Sequence, residues 1–462
     1  MSQTVVNPKS ATNMWINAIG LLISLGSIWW LREYGQQFMA HRGGIIITCL
    51  ALALPIIILE WIFLKPYRNK SAGLDFSAAK TRQSGSLKRT AIKLLGLYGS
   101  FSFVAFVYWI FPEYRGGYYN NFFELVKSIL LVWCLVAIPY FYFVDRAMVQ
   151  PKDGYWHLGM LLLGQVGSVS AAKIGQLLLG WVVKLFFLPL MFKYSGNNLN
   201  TMLQVDFYSV FDFSASFEAR KSLNLYQFFN NFLFYIDLLF VTVGYCFTVR
   251  LFDSHIRSTE PTFFGWVVAV MCYQPFWGAV FGSLYISYNA GRDWSNFFWD
   301  SPWVHFSYGA VILSLVVIYV WASIAFGIRF SNLTHRGILT NGPFRYTKHP
   351  AYISKNLSWW FIFMPFLIAP EFDDKLRLTL LLVLQNMIYF LRARTEEKHL
   401  SIDADYIAYA QYIEKNGLFV RVGQWFPVLK FKPGQLFNVK PKSSKQSVYG
   451  GDTGASVESS YE

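Results

Sequence analysis

The sequence predicts an all-α, polytopic integral membrane protein with about ten transmembrane helices. Hydrophobic residues make up 54% of its 462 positions and charged residues only 14%, whereas about 25% of a soluble domain is charged. The mean hydropathy is +0.34, and long apolar runs recur along most of the chain. A helix needs about 20 apolar residues to cross a bilayer, where it satisfies its own backbone hydrogen bonds. We therefore expect these runs to form spanning helices.

Ten apolar runs have the length of a spanning segment. They lie near 13–31, 44–64, 91–112, 125–145, 171–193, 226–249, 263–288, 303–328, 351–369 and 374–392. We divide the chain into an N-terminal multi-span membrane region (1–300), a core (301–432) and a cytoplasmic tail (433–462). The tail is rich in Ser and Gly without apolar periodicity, a composition that predicts disorder.

The positive charge of the chain predicts its orientation. The formal net charge is +14, and the connection 65–93 alone holds eight Lys and Arg residues. Short loops rich in Lys and Arg stay on the cytoplasmic side. Both termini are therefore expected to be cytoplasmic, together with the loop 331–350. Topology and anionic lipid headgroups account for the charge, so no nucleic-acid partner is expected.

No pattern in the sequence predicts a metal site, and we expect no metal cofactor. The four cysteines lie inside apolar runs, without zinc or redox spacing. Asp237 is a lone acidic residue in a predicted span, and such residues often have a functional role. The alternatives for Asp237 are a place in an acceptor cavity and a structural role, either neutral or paired with Lys184.

One polar, basic stretch separates two apolar segments. It reads TNGPFRYTKHPAYISKN, over residues 340–356. Its glycines and prolines predict an irregular loop, and Pro350 suits the first turn of a following helix. A helix N-terminus favours an anion, and cationic side chains surround this one: Arg336, Arg345, Lys348 and His349. The alternative is ordinary interfacial charge whose side chains reach the headgroups.

A second charged motif follows the last predicted span. It reads YFLRARTEEKHL, over residues 389–400, and in it Arg392 and Glu396 are four positions apart. On a helix these two side chains share a face. The alternative is an exposed, salt-bridged helix. An amphipathic helix is predicted over 401–417, with a tyrosine stripe that we expect to serve packing.

Together the two motifs resemble the C-terminal core of the isoprenylcysteine carboxyl methyltransferase family. The order is THRGILTNGPFRYTKHPAY, a span, a tight turn, a second span and RARTEE. The resemblance covers roughly 305–425. It implies an integral-membrane methyltransferase that uses S-adenosylmethionine, as do the related phospholipid N-methyltransferases. The implied acceptor is a lipid or lipid-linked group that enters from the bilayer at the cytoplasmic interface.

The resemblance also implies roles for individual residues. Arg392 matches the arginine that faces the methyl-accepting group, and it is the catalytic candidate. The cofactor-binding candidates are Arg336, Gly337, Ile338, Leu339, Phe344, His349, Pro350, Ala351, Tyr352 and Glu396. The chain departs from the family pattern in four places. Lys348 stands where Arg is usual, Ser354 stands where Gly is common, and Phe344 lacks the hydroxyl of a family tyrosine. The usual Pro-Arg near the end of the core is absent, and Arg421 is the nearest candidate.

Two other functions remain open at this point. A membrane reductase of the steroid-reductase type has a similar C-terminal layout and uses NADPH. Such an enzyme is expected to have Asn-Tyr and an acidic residue near His349, where this chain has Ala351-Tyr352 and Lys355. The other alternative is a transporter or scaffold without enzymatic activity.

Overall fold

The fold is helical almost throughout. The computed structural model of the chain describes residues 7–35, 43–77, 86–212, 217–289 and 291–431. Its helices are α1 (Met14–Glu33), α2 (Gly43–Leu59), α3 (Ser86–Ile110), α4 (Asn120–Ala147), α5 (Gly154–Leu162), α6 (Ala171–Gln204), α7 (Phe207–Phe211), α8 (Ala219–Cys246), α9 (Phe263–Val270), α10 (Pro302–Phe326), α11 (Pro350–Phe363), α12 (Pro365–Ile368), α13 (Phe372–Leu400), α14 (Ala404–Asn416) and α15 (Val420–Trp425). Strands β1 (Ser258–Thr259) and β2 (Thr334–His335) form one short antiparallel pair. The predicted all-α class is confirmed.

Within the described ranges, eight helical segments are long and apolar enough to cross a membrane. They are Met14–Glu33, Gly43–Leu64, Ser86–Ile110, Asn120–Ala147, Ala171–Gln204, Ala219–Cys246, Pro302–Arg329 and Phe372–Leu400. Each corresponds to one of the ten predicted spans. The chain is therefore a multi-pass integral membrane protein.

The remaining two predicted spans are not continuous helices, so the count of about ten includes two broken segments. The run 263–288 forms α9, a turn that contains Pro275, and a π-helix at Trp277–Tyr285. The run 351–369 divides into α11 and α12 at Met364, which adopts a left-handed conformation (φ 39°) before Pro365. Proline lacks a backbone N–H and disfavours a right-handed helical conformation in the residue before it.

The centre of the bundle is the contact between α8 and α10. Helix α6 packs on the other side of α8, and α10 also contacts α1 and α11. Leu239, Phe240 and Val243 of α8 are buried together with Ile312 and Val316 of α10 in one hydrophobic cluster. This arrangement places the N-terminal spans directly against the helices that lead into the two motifs.

A buried polar contact ties α8 to α10. Asp237 accepts hydrogen bonds from the Tyr319 hydroxyl (2.6 Å) and from the Ser323 hydroxyl. Lys184 instead donates to the Thr248 hydroxyl, so the predicted alternative of a pair between Asp237 and Lys184 is wrong. Since helices in lipid gain little from apolar contact alone, such hydrogen bonds help to hold them together.

Contacts also cross the predicted boundary at residue 300. Arg329 forms a buried ion pair with Glu60 (2.7 Å), and the Ser222 hydroxyl lies 2.8 Å from His305 Nδ1. The division at residue 300 remains a prediction, and the predicted tail 433–462 lies outside the described residues. The cytoplasmic assignment of both termini also remains a prediction.

Candidate functional site

The first motif forms an irregular loop that is fixed at both ends. At its start, the pairing of β1 with β2 includes a hydrogen bond from Arg257 N to His335 O (2.9 Å). Towards its end, the hydroxyl of Tyr409 on α14 donates to Phe344 O (2.7 Å). Tyr406 and Tyr409 are both buried, which confirms the packing role predicted for the tyrosine stripe. The loop is thus held against α14, and it leads into α11.

Arg336 is buried inside this loop, and its guanidinium is fully engaged by the main chain. It donates to five carbonyl oxygens, at distances of 2.6–3.1 Å, which belong to Gly244, Phe247, Ser254, Ile328 and Phe330. These carbonyls come from the end of α8, the segment after it and the segment after α10. The structure therefore gives Arg336 a role in joining these segments, and none of its donors faces a ligand.

The next loop residues lie beneath a segment from the N-terminus of the chain. Ala11 N donates to Ile338 O (2.9 Å), and Thr340 N donates to the Ser10 hydroxyl (3.2 Å). Gly337 has φ +127°, and a Cβ atom there would lie 2.7 Å from Ala11 Cβ. Glycine is therefore required at this position both by backbone conformation and by space.

Three further candidates from the loop have mainly packing contacts. Ile338 and Leu339 are buried, and Ile338 belongs to a cluster with Tyr406 and Tyr409. The Phe344 ring meets the Phe326 ring edge-on, with centroids 5.5 Å apart. These three side chains therefore pack against neighbouring apolar groups and offer no polar atom to a ligand.

Helix α11 begins as the sequence predicts. Pro350 is at its first position, and no side chain caps its N-terminus. The rings of His349 and Tyr352 are stacked, with centroids 5.6 Å apart and planes inclined by 9°. His349, Pro350, Ala351 and Tyr352 therefore turn the chain into α11 and direct Tyr352 towards α13.

Tyr352 connects the two motifs. Its hydroxyl donates to Glu396 Oε2 (2.7 Å), and the guanidinium carbon of Arg392 lies 5.2 Å from the centroid of its ring. Arg392 and Glu396 do lie on one face of α13, as predicted, but Tyr352 lies against both and no ion pair between them is found among the described residues. Because Arg392 is buried, the alternative of an exposed salt-bridged helix is wrong here.

Glu397, the neighbour of Glu396, is the centre of a buried ion-pair network. Its carboxylate lies 2.7 Å from Lys348 Nζ, 2.6 Å from Arg394 Nη1 and 3.2 Å from His349 Nε2. Lys348 is also paired with Glu414 of α14 (2.8 Å). The network ties the loop, α13 and α14 together, and it gives Lys348 and His349 of the first motif a negative partner.

Glu396 is in a different situation from Glu397. It is partly accessible, and Tyr352 is the one hydrogen-bond partner found for it among the described residues. Nearby, the hydroxyl of Tyr406 is buried without a hydrogen-bond partner in the same part of the chain. Burial raises the pKa of Tyr406 well above its usual value, and the carboxylates of Glu397 and Glu396 raise this pKa further. Two polar groups therefore remain available beside the start of α11.

Several residues of the site were not predicted from the sequence. Tyr273, in the turn after α9, and Asn332 both contact Arg392 Nη2, at 3.3 Å and 2.5 Å. Tyr389 also lies under the guanidinium of Arg392 (5.8 Å). One feature of the sequence could have pointed to Tyr273. It lies next to the interruption of the seventh predicted span at Pro275, and broken membrane helices often border a functional site.

The fold and the site together define a multi-pass integral membrane protein in which polar side chains of the loop, α11, α13 and α14 meet. A family model matches residues 303–416, and its description is a protein of unknown function (DUF1295). The match lies within the part of the chain that resembles the isoprenylcysteine carboxyl methyltransferases, and it does not confirm that resemblance. No curated protein and no solved structure matches the chain.

Proposed function

We propose that the protein is a membrane methyltransferase that uses S-adenosylmethionine to methylate a lipid or lipid-linked acceptor. The observation that supports this most is the state of Glu396. It is a carboxylate beside a helix N-terminus, with a tyrosine hydroxyl as its described partner and no described cation paired with it. A cationic ligand would complete its electrostatic environment.

The surroundings of Glu396 favour positive groups in the part of the ligand that lies against it. Lys348 and Arg394 are paired with Glu397, and Arg336 is occupied by main-chain carbonyls. S-adenosylmethionine has an ammonium and a sulfonium as well as a carboxylate. Glu396 suits the cationic groups, and the uncapped start of α11 suits the carboxylate. The hydroxyl of Tyr406 is an additional free donor.

The chemical role of the protein in such a reaction is mainly alignment. When bound, the cofactor supplies an activated methyl group, whose bond to sulfur breaks as the acceptor forms its new bond to carbon. Glu396 and Tyr352 would fix the position of the donor, while Arg392 would orient the acceptor. Arg392 suits this task because Asn332 and Tyr273 already fix its Nη2 atom. Holding two reactants in line, away from water, accounts for much of the barrier reduction in such reactions.

The site also has the position that a lipid acceptor requires. Arg392 and Glu396 lie on α13, one of the eight membrane-spanning candidates, and Tyr352 lies on the short helix α11. Several large apolar side chains on these helices are exposed, among them Leu357, Phe361, Leu384 and Met387. A water-soluble cofactor could thus meet an acceptor that remains embedded in the bilayer.

Binding of the cofactor tests this proposal directly. We expect calorimetry on the purified protein in neutral detergent to detect S-adenosylmethionine, and Glu396→Gln to weaken its affinity about tenfold, since hydrogen bonds to charged groups contribute about 1.5–3 kcal/mol. Glu371→Gln is the matched control, because Glu371 is exposed at the opposite end of the same helix. Folded parent protein that does not bind S-adenosylmethionine would contradict the proposal.

A second candidate is an NADPH-dependent reductase of the steroid-reductase type. It is favoured by the family match, since that family is associated with steroid 5α-reductase-like membrane proteins. The same calorimetry with NADPH separates the two enzymes, because each predicts binding of a different cofactor. If neither cofactor binds to folded protein, the remaining alternative is a transporter or scaffold.

A further inference from the structure

A lysine that has no part in the proposed cofactor site lies between three helices. Lys355 is on α11, one turn beyond Tyr352, and it is partly buried. Its ammonium nitrogen lies 5.3 Å from the ring centroid of Tyr319 on α10, 5.6 Å from that of Trp359 and 5.9 Å from that of Tyr389 on α13. Three aromatic rings therefore surround this charge.

Lys355 has no direct ion-pair partner in the described part of the chain. No carboxylate there lies within ion-pairing distance of it, and no hydrogen bond from its ammonium group is found. Asp237 of α8 interacts electrostatically with Lys355 from beyond ion-pairing distance, while its carboxylate accepts hydrogen bonds from the hydroxyls of Tyr319 and Ser323. Burying a cation without a partner is costly, and aromatic faces offset only part of that cost.

A second cation without a carboxylate partner among the described residues lies against one of these rings. Arg392 lies against Tyr389 on the side of the proposed reaction site, with its guanidinium carbon 5.8 Å from the ring centroid. Lys355 lies against the same ring at 5.9 Å. The two cations thus border the same aromatic ring. Arg392 is fixed by Asn332 and Tyr273, whereas Lys355 is left to bind a ligand.

We infer that Lys355 binds an anionic group on the acceptor, at a point separate from the atom that receives the methyl group. The acceptor is then an amphiphile whose headgroup has both a methyl-accepting atom, which faces Arg392, and a negative charge, which faces Lys355. The shared chemistry is an anionic headgroup on an apolar chain, and a phosphate and a carboxylate both satisfy it. This inference rests on the proposed function for the role of Arg392.

Titration with simple amphiphiles tests the inference without knowledge of the natural acceptor. The probes are dodecyl phosphate, dodecanoate and uncharged dodecanol, added to the full-length protein in neutral detergent, and binding is followed by the change in tryptophan fluorescence. We expect at least one of the two anionic probes to bind at least about tenfold more tightly than dodecanol, in keeping with the strength of charge-assisted hydrogen bonds. The difference between the phosphate and the carboxylate identifies the headgroup class.

Variants of Lys355 separate binding from structure. Lys355→Gln is expected to lose most of the preference for an anionic probe, and Lys355→Arg to keep it. Lys375→Gln, at the opposite end of α13, should match the parent. The double variant with Lys355→Gln and Asp237→Asn tests whether Lys355 only balances the charge of Asp237. If it does, the double variant would bind the anionic probes like the parent. We expect the double variant to bind them as weakly as Lys355→Gln.

Two results would overturn the inference: equal affinity for dodecanol and both anionic probes, or unchanged affinity for the anionic probes in Lys355→Gln. Calorimetry with S-adenosylmethionine on the same samples separates this failure from a failure of the proposed function. Cofactor binding without a Lys355-dependent preference removes the inference alone. A Lys355-dependent preference without cofactor binding removes the methyltransferase proposal and leaves an anionic-lipid site.

Discussion

The Tyr352 hydroxyl donates a hydrogen bond to Glu396 Oε2 at 2.7 Å, and this contact joins the two charged motifs of the sequence. The two residues are 44 positions apart in the chain. Helices α11 and α13 run antiparallel here, because Trp360, further along α11, donates to Asn386, which lies earlier on α13. The contact thereby fixes the position of α11 relative to α13 at the candidate site.

Removing the hydroxyl of Tyr352 should weaken cofactor binding without unfolding the protein. Tyr352→Phe keeps the ring beside Arg392 and loses the hydrogen bond to Glu396. We expect S-adenosylmethionine affinity to fall about fivefold to tenfold, as measured by calorimetry, since one hydrogen bond to a charged group is lost. Tyr208→Phe is the control, because Tyr208 is 89% exposed. Unchanged affinity in Tyr352→Phe would place the cofactor elsewhere.

The adjacent glutamates should respond in opposite ways to the same substitution. Glu397→Gln removes the ion-pair partner of Arg394 and one of the two partners of Lys348, so we expect a loss of about 3 kcal/mol in the free energy of unfolding. Glu396→Gln should leave that free energy nearly unchanged and lower the affinity for S-adenosylmethionine. Denaturation in detergent measures the difference. Equal destabilisation by both variants would contradict the separate roles.

Arg336 should prove to be a structural residue. Arg336→Met leaves five main-chain carbonyls without their donor, so we expect a destabilisation of about 3 kcal/mol or more. Arg345→Met is the matched control, because Arg345 is an exposed residue of the same loop. The folded fraction of Arg336→Met should bind S-adenosylmethionine like the parent; if its affinity falls while its stability does not, Arg336 contacts the cofactor.

His255 should make the stability of the protein depend on pH below neutrality. Burial, followed by the charges of Arg250 and Arg257, lowers its pKa well below the usual value. The folded protein thus keeps His255 neutral, while the unfolded chain binds a proton near pH ~6.5. Stability is then lost as the pH falls from about 7 towards 5. Thermal unfolding of His255→Asn should show a smaller loss of stability between pH ~7 and ~5 than the parent shows. The same dependence of stability on pH in the variant and the parent would contradict this role of His255.

The sequence located the spanning segments well because apolar composition over about 20 residues is a local property. It did not distinguish the two broken segments from the continuous ones. Pro55, Pro139 and Pro189 lie inside continuous helices, whereas Pro275 and Pro365 accompany interruptions. Whether a helix tolerates a proline depends on whether neighbouring groups satisfy the backbone around it, and that depends on tertiary contacts.

The candidate site was predictable in part. The four-residue spacing of Arg392 and Glu396 predicted their shared face, and the turn residues predicted the loop before α11. Positive charge alone could not show which basic residues were available. Arg336 and Lys348 look alike in the sequence as cations of one motif, yet the first binds carbonyls of three segments and the second binds Glu397 and Glu414.

Composition and hydropathy alone establish that this is a multi-pass helical membrane protein, because the bilayer selects for long apolar helices regardless of what they contact. The fold alone decides which charges are neutralised and which remain free, because pairing depends on groups that are distant in the chain. Lys348 and Arg394 pair with Glu397, and main-chain carbonyls hold Arg336. No ion pair is found for Glu396, Arg392 and Lys355 among the described residues, and we propose that these three bind the ligand.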